Sequence, residues 1–183
     1  MHLIFRTLLL LVTARRRPAL GIWDSSSLSL RVLPTDIDIA MHVNNGMYFS
    51  LMDLGRFELM VRAGVWDVFR RKGWSPVVSA ETIAFRKSLT LGQQYSIETR
   101  IIGFDDRAIY FEQRMVSRGE IYARAYIATR LVSKQGPVAN EEIFAATGQQ
   151  PPADLVLPEW LHEWRENNAL PSTRRPAPHR WVR

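Results

Sequence analysis

Residues 45 to 63, NGMYFSLMDLGRFELMVRA, constrain the fold more than any other stretch of this chain. The segment lacks proline and is rich in long side chains, so it predicts a helix. Its apolar residues do not make one stripe. Met47, Tyr48, Phe49, Leu51, Met52, Leu54, Phe57, Leu59, Met60 and Val61 point almost all round the helical wheel. A helix apolar on most sides is buried on most sides, so something must wrap it. Gly55, mid-helix, costs about 1 kcal/mol relative to alanine, which predicts a close approach of another backbone. Asp53 with Arg56, and Glu58 with Arg62, are spaced to pair along the helix. Gly64 is a natural stop.

The flanking sequence supplies the wrapping. VWDVFRRKG predicts a second, short helix ending at Gly73. The hydrophobic period then changes to two. Residues 75 to 92 read as one long strand ending at Gly92. In QYSIETRIIGF, Tyr95, Ile97, Thr99 and Ile101 alternate with Ser96, Glu98 and Arg100. RAIYFEQRMV follows the turn Asp105-Asp106, and SRG turns the chain into EIYARAYIATRLV. Short connections predict that these consecutive strands form an antiparallel meander. LSLRVL, residues 28 to 33, is a further strand closed by Pro34. Strand, long buried helix, then strands predicts an α+β fold, a curved antiparallel sheet around one central helix.

Residues 28–148 are expected to form that domain, 1–27 an apolar and basic extension, and 149–183 a helical extension with a basic tail. Near the domain's end Asn140 is the expected cap of a short helix that stops at Gly148. LPEWLHEWRENN predicts a last helix from Pro158, with Trp160 and Trp164 as a packing stripe. The tail from Pro171 is expected to be mobile or loosely docked.

Several chemistries are excluded. The chain has no cysteine, so disulfides, thiolate metal sites and a cysteine nucleophile are ruled out. His2, His42, His162 and His179 lack metal spacing, and neither a phosphate-binding glycine loop nor a G-x-S-x-G elbow is present. A net charge of +6 with pI near 10.2 favours anionic partners. The arginines are scattered rather than striped, which argues against nucleic acid.

The stretch TDIDIAMHVNNGMYF, residues 35 to 49, gathers far more polar groups than a helix start needs. On an extended segment Asp36 and Asp38 point to the same side, where like charges favour acid–base work. The structural alternative has Asp36 capping a turn and Asp38 solvated. One of Asn44 and Asn45 serves as N-cap, which leaves the other unexplained. The free N–H groups and positive dipole of a buried helix start suit a developing oxyanion. A carboxylate seven residues upstream completes the parts for attack on a carbonyl. His42 is expected to fix the loop by hydrogen bonds, and Tyr48 to lie in the core.

The pattern D-x-D-x-x-x-H-V-N-N-x-x-Y followed by MDLGR resembles the hotdog-fold acyl-CoA thioesterases of the 4-hydroxybenzoyl-CoA thioesterase type. It is most similar to their thioesterase-superfamily-member-6-like branch, over roughly Leu28 to Val132. The resemblance implies a curved sheet around a central helix and hydrolysis of an acyl thioester carried by CoA or a carrier protein. Asp38 matches the family's catalytic aspartate, as general base or nucleophile, and the Asn45 N–H its carbonyl-polarising amide. Asp36, His42, Asn44 and Tyr48 take supporting places. Arg86, Lys87 and Arg107 are candidates for the CoA phosphates, against a reading as ordinary strand-end charges. No cofactor is implied beyond the CoA of the substrate, and no metal. Homodimers, or dimers of dimers, with sites at the interface are expected. Two departures stand out: Met41 replaces a frequent glycine, which predicts a different bend, and the turn between the third and fourth strands is Asp105-Asp106-Arg107 where some members carry a basic pair.

The amino-terminal stretch MHLIFRTLLLLVTARRRP is too short to span a membrane, and its charge follows the apolar run, unlike a secretory signal. It predicts either an interfacial anchor within residues 1–20 or a terminal helix packed on the domain or a partner. The expected location is cytoplasmic, with possible contact at a membrane surface. The main rival to hydrolysis is a non-catalytic dimer that binds acyl chains or lipid at such a surface. A hydratase on this fold fits poorly, because His42 lies four residues after Asp38 and six after Asp36.

Overall fold

The computed structural model describes residues 3–171, 175–177 and 179. Met1, His2 and most of the basic tail lie outside them. The elements in order are helix α1 (Ile4–Ala14), strand β1 (Ser26–Arg31), helices α2 (Asn45–Arg62) and α3 (Val65–Lys72), and strands β2 (Ser75–Phe85), β3 (Gln94–Phe104), β4 (Ile109–Ser117) and β5 (Glu120–Ser133). A two-residue strand β6 (Gly136–Pro137) and helices α4 (Asn140–Thr147) and α5 (Glu159–Asn168) complete the chain.

One antiparallel sheet runs β1-β3-β4-β5-β2, with β6 beside β5. It curls around α2, whose buried residues include Tyr48, Leu51, Met52, Leu54, Leu59 and Val61. The all-round apolar wheel has its cause here: the sheet covers one side of α2, and α1 and α3 pack on others. Of the four strands expected to form a meander, β3, β4 and β5 do so. β2 was expected beside β3, but it crosses to pair with β5, and β1 takes the place beside β3. The expected strand over residues 75 to 92 is also shorter. The N–H groups of Arg86 and Lys87 both converge on the Tyr122 carbonyl, at 2.8 and 3.1 Å, and the ladder stops there. Residues 86–93 are then free to cross the end of the sheet.

Gly55 brings α2 onto β3, and side chains rather than backbone meet it. A Cβ there would sit 2.7 Å from both Ile97 Cγ2 and Thr99 Oγ1. Beside it Gln113, fully buried, donates to the Met52 carbonyl at 2.9 Å and to Thr99 Oγ1 at 2.8 Å, and accepts from Arg56 at 2.5 Å. Arg56 also pairs with Asp53, and Arg62 with Glu58 at 2.8 Å, as the helical spacing predicts. Asn140 does not cap α4. Ala139 holds the cap position, while the Asn140 side chain donates to the Asp105 carbonyl. Leu157 and Leu161 pack on the other face of the sheet, against Ala108, Tyr110 and Ala128.

Candidate active site

The polar stretch forms a loop closed onto the start of α2. Pro34–Asp36 makes one 3₁₀ turn, with proline's fixed φ at its first position. The chain then doubles back. Asp38 N–H donates to the His42 carbonyl and Asn44 N–H to the Asp36 carbonyl, both at 2.9 Å. Val43 N–H donates to the Leu89 carbonyl at 2.9 Å and fastens the loop to the β2–β3 connection. At the tip Met41 has φ 60°, the left-handed conformation that glycine favours. Methionine takes this conformation against its own steric preference.

The 3₁₀ turn breaks the alternation that would set Asp36 and Asp38 side by side, and the two carboxylates have different surroundings. Asp36 is fully buried. It accepts from Leu33 N–H and from Arg6 Nη2, each at 2.8 Å. Asp38 is half-buried, and its Oδ1 accepts from Ala40 N–H at 2.9 Å. Its Oδ2 has no partner among the described residues.

The two asparagines divide the helix start between them. Asn44 is the N-cap: its Oδ1 accepts from Gly46 N–H at 2.9 Å and its carbonyl from Met47 N–H at 2.8 Å. Asn45 opens the helix, and its N–H has no acceptor among the described residues. It stands at the positive end of an 18-residue helix.

His42 takes part in the loop through its backbone, which bridges Thr90; its ring, expected to hold the loop by hydrogen bonds, is exposed and makes none among the described residues. Tyr48 is buried, edge-on to Phe85 at 4.9 Å between ring centroids. Burial pushes its phenol up, only partly opposed by the Leu89 N–H that it accepts at 3.4 Å, so the hydroxyl stays protonated.

The basic candidates divide into two groups. Arg86 and Lys87 lie at the same end of the sheet as the start of α2, both paired with Glu120. Arg107 sits in the β3–β4 turn beside Asp106. The length of β4, Ile109–Ser117, separates the groups by about 26 Å within one protomer. In that turn Asp105 accepts from the N–H groups of Arg107 and Ala108, at 2.8 and 2.7 Å, and pairs with Arg165, so its carboxylate is committed to the fold. Among the described residues no three acidic or histidine side chains are grouped to hold a metal ion.

Arg6 is the site residue that sequence reasoning missed. Its signal was present: a single arginine inside the apolar run Leu3–Val12 needs a buried anion.

Comparison with known proteins decides the family. A model of the thioesterase-like superfamily matches residues 32–164. The chain belongs to this superfamily. It is 34% identical over 166 residues to the protein THEM6 of Xenopus laevis, covering 89% of this chain and 78% of that one. It is 37% identical over 100 residues to THEM6 of Danio rerio, covering 55% of this chain and 50% of the relative, so it spans only half of that protein's length. Among solved structures it superposes on YbaW of Escherichia coli, described as a probable thioesterase. The TM-score is 0.62 at 19% identity, over 67% of this chain and 96% of YbaW. The fold is the hotdog fold of thioesterases. Membership of the thioesterase-like superfamily supports thioester hydrolysis as the class of activity.

Proposed function

We propose that the protein hydrolyses an acyl thioester, with acyl-CoA as the substrate class, to a free acid and a thiol. One observation carries the reading. Among the described residues the Asn45 N–H is unpaired at the positive end of α2, and the loop leading to it carries the Asp38 carboxylate with one oxygen free. A thioester carbonyl accepts from the Asn45 N–H, and the helix dipole stabilises the charge that builds on its oxygen. Asp38 takes a proton from the attacking water, or attacks the carbonyl carbon itself to give an anhydride that water opens. In both routes the C–S bond breaks, and the thiolate leaves and takes up a proton.

Asp36, Asn44 and Tyr48 hold the geometry, and His42 lines the exposed side of the loop. Arg86 and Lys87 are assigned to the CoA phosphates. β2 is an 11-residue free edge with exposed Val77, Val78 and Phe85, a template for strand pairing. Pairing there would run two sheets together in a homodimer, itself able to form a dimer of dimers. A cytoplasmic location goes with this reading, since CoA thioesters are intracellular metabolites.

The test is a hydrolysis panel of short-, medium- and long-chain acyl-CoAs with the wild type and Asp38→Asn. The variant is expected to lose turnover by about a hundredfold or more while its thermal stability is kept. Full activity in the variant would remove Asp38 from the mechanism. No hydrolysis by the wild type, with tight acyl-chain binding, would select the non-catalytic binding protein instead.

A further inference from the structure

Helix α1 has two faces, and the domain uses one of them. Leu10 and Ala14 are buried, and Arg6 reaches inward to Asp36. The opposite face carries Ile4, Phe5, Leu8, Leu9 and Val12, each between 53% and 79% exposed. A helix on a protein surface ordinarily turns charged and polar residues to water. Between Ile4 and Val12 every exposed residue of α1 is apolar.

In the sequence that carries this face the charge has one sign. No Asp or Glu precedes Asp24, while Arg15, Arg16 and Arg17 follow the apolar run directly. Arg17 is held by Glu58, and Arg15 by Asp67 in an exposed pair; Arg16 is exposed with no acidic partner among the described residues. We propose that the outer face of α1 docks on an anionic lipid surface, with its apolar side chains in the headgroup–acyl boundary and the arginines against lipid phosphates.

Two alternatives fit less well. α1 is 11 residues long, where a span takes about 20, and no described helix is long and apolar enough to cross a membrane; docking on the surface of a bilayer is the mode that the described helix fits. A second copy of the chain is the other candidate. α1 is one 11-residue helix, and its exposed face alone falls short of the ~800 Å² of accessible surface that each partner gives to a stable dimer. Apolar exposure also continues onto the loop that Arg6 grips, where Ile39 is fully exposed and Met41 half-exposed. The docking helix and the candidate active site therefore share one anchor. The inference does not rest on hydrolysis: a lipid-binding protein without turnover would dock the same way.

The experiment is co-sedimentation of the full chain with phosphatidylcholine vesicles, with and without phosphatidylglycerol. The wild type is expected to partition onto the phosphatidylglycerol vesicles and to come off as salt rises. Phe5→Glu/Leu9→Glu, both outward-facing, is expected to weaken that partitioning at least about tenfold with an unchanged melting temperature. Arg16→Glu is expected to weaken binding to the anionic vesicles only. Equal partitioning of the wild type and the double variant would overturn the proposal. So would no vesicle binding together with a change of solution mass in the double variant, which would assign the face to a second copy.

Discussion

Arg6 and Asp36, thirty residues apart in sequence, form an ion pair at 2.8 Å in which the carboxylate is fully buried and the arginine side chain is 15% exposed. The pair ties the amino-terminal helix to the loop that carries Asp38. It sits at the loop's closure, because the same residue, Asp36, accepts from Leu33 N–H through its side chain and from Asn44 N–H through its carbonyl. Removing the cation leaves a buried carboxylate without its counter-ion, which costs about 3–5 kcal/mol. Arg6→Ala is therefore expected to lose about 3 kcal/mol in urea unfolding and most of its turnover. Arg6→Met/Asp36→Asn, which removes both charges and keeps an acceptor for Leu33 N–H, should recover much of the loss. If Arg6→Ala were as stable as the wild type, the pair would not hold the loop.

What could be read from the sequence, and what could not, divides along the range of the interactions. The all-round apolar wheel of α2, the pairs of Asp53 with Arg56 and of Glu58 with Arg62, and the double asparagine at the helix start depend on residues close in sequence. Each left a local pattern. The Arg6–Asp36 pair depends on how α1 lies on α2, and locally it showed only as one arginine in an apolar run. The sheet order failed for a related reason. Adjacent strands were expected to pair, but the curl around α2 places β2 at the far edge, beyond β5. Met41 carried no sign of its positive φ, because a strained backbone is imposed by its surroundings and not by the residue.

Gly55 offers a test of how tightly α2 sits on the sheet. On propensity alone, Gly55→Ala should stabilise the helix by about 1 kcal/mol. The added Cβ would meet Ile97 Cγ2 and Thr99 Oγ1 at 2.7 Å, and Gln113 Nε2 at 3.0 Å. Overpacking of this kind costs about 1–3 kcal/mol, and Gln113 cannot retreat without leaving Thr99 and the Met52 carbonyl. The expected net result is a lower melting temperature. A variant that melts higher than the wild type would mean that the helix stands further from β3.

Met41 tests the loop. The residue is 54% exposed, so truncation loses little packing. The left-handed conformation costs a non-glycine residue about 1–2 kcal/mol. Met41→Gly is expected to gain up to about 1 kcal/mol, with turnover kept. Met41→Val, β-branched and poorly suited to positive φ, should lose stability. The two variants moving in the same direction would contradict the bend at this position.

Asp105 makes the acid limb of stability predictable. Burial works to raise its pKa, but hydrogen bonds from the Tyr110 hydroxyl and from the N–H groups of Arg107 and Ala108, with the charge of Arg165, outweigh it and hold the carboxyl below the ordinary range. A group whose pKa is depressed by folding stabilises the protein above its unfolded pKa. That contribution is lost as pH falls from about 3.9 through the lower value of the folded chain. Asp105→Asn keeps an acceptor for Tyr110 but removes the charge. The variant is expected to be less stable than the wild type by about 1.5–3 kcal/mol at neutral pH, the range for hydrogen bonds to a charged group. The difference should shrink steadily as the pH is lowered below the ordinary aspartate range. Urea unfolding of both proteins across that interval measures it. A gap that stayed constant into acid would mean that the charge on Asp105 adds nothing to the turn that joins β3, β4 and α5.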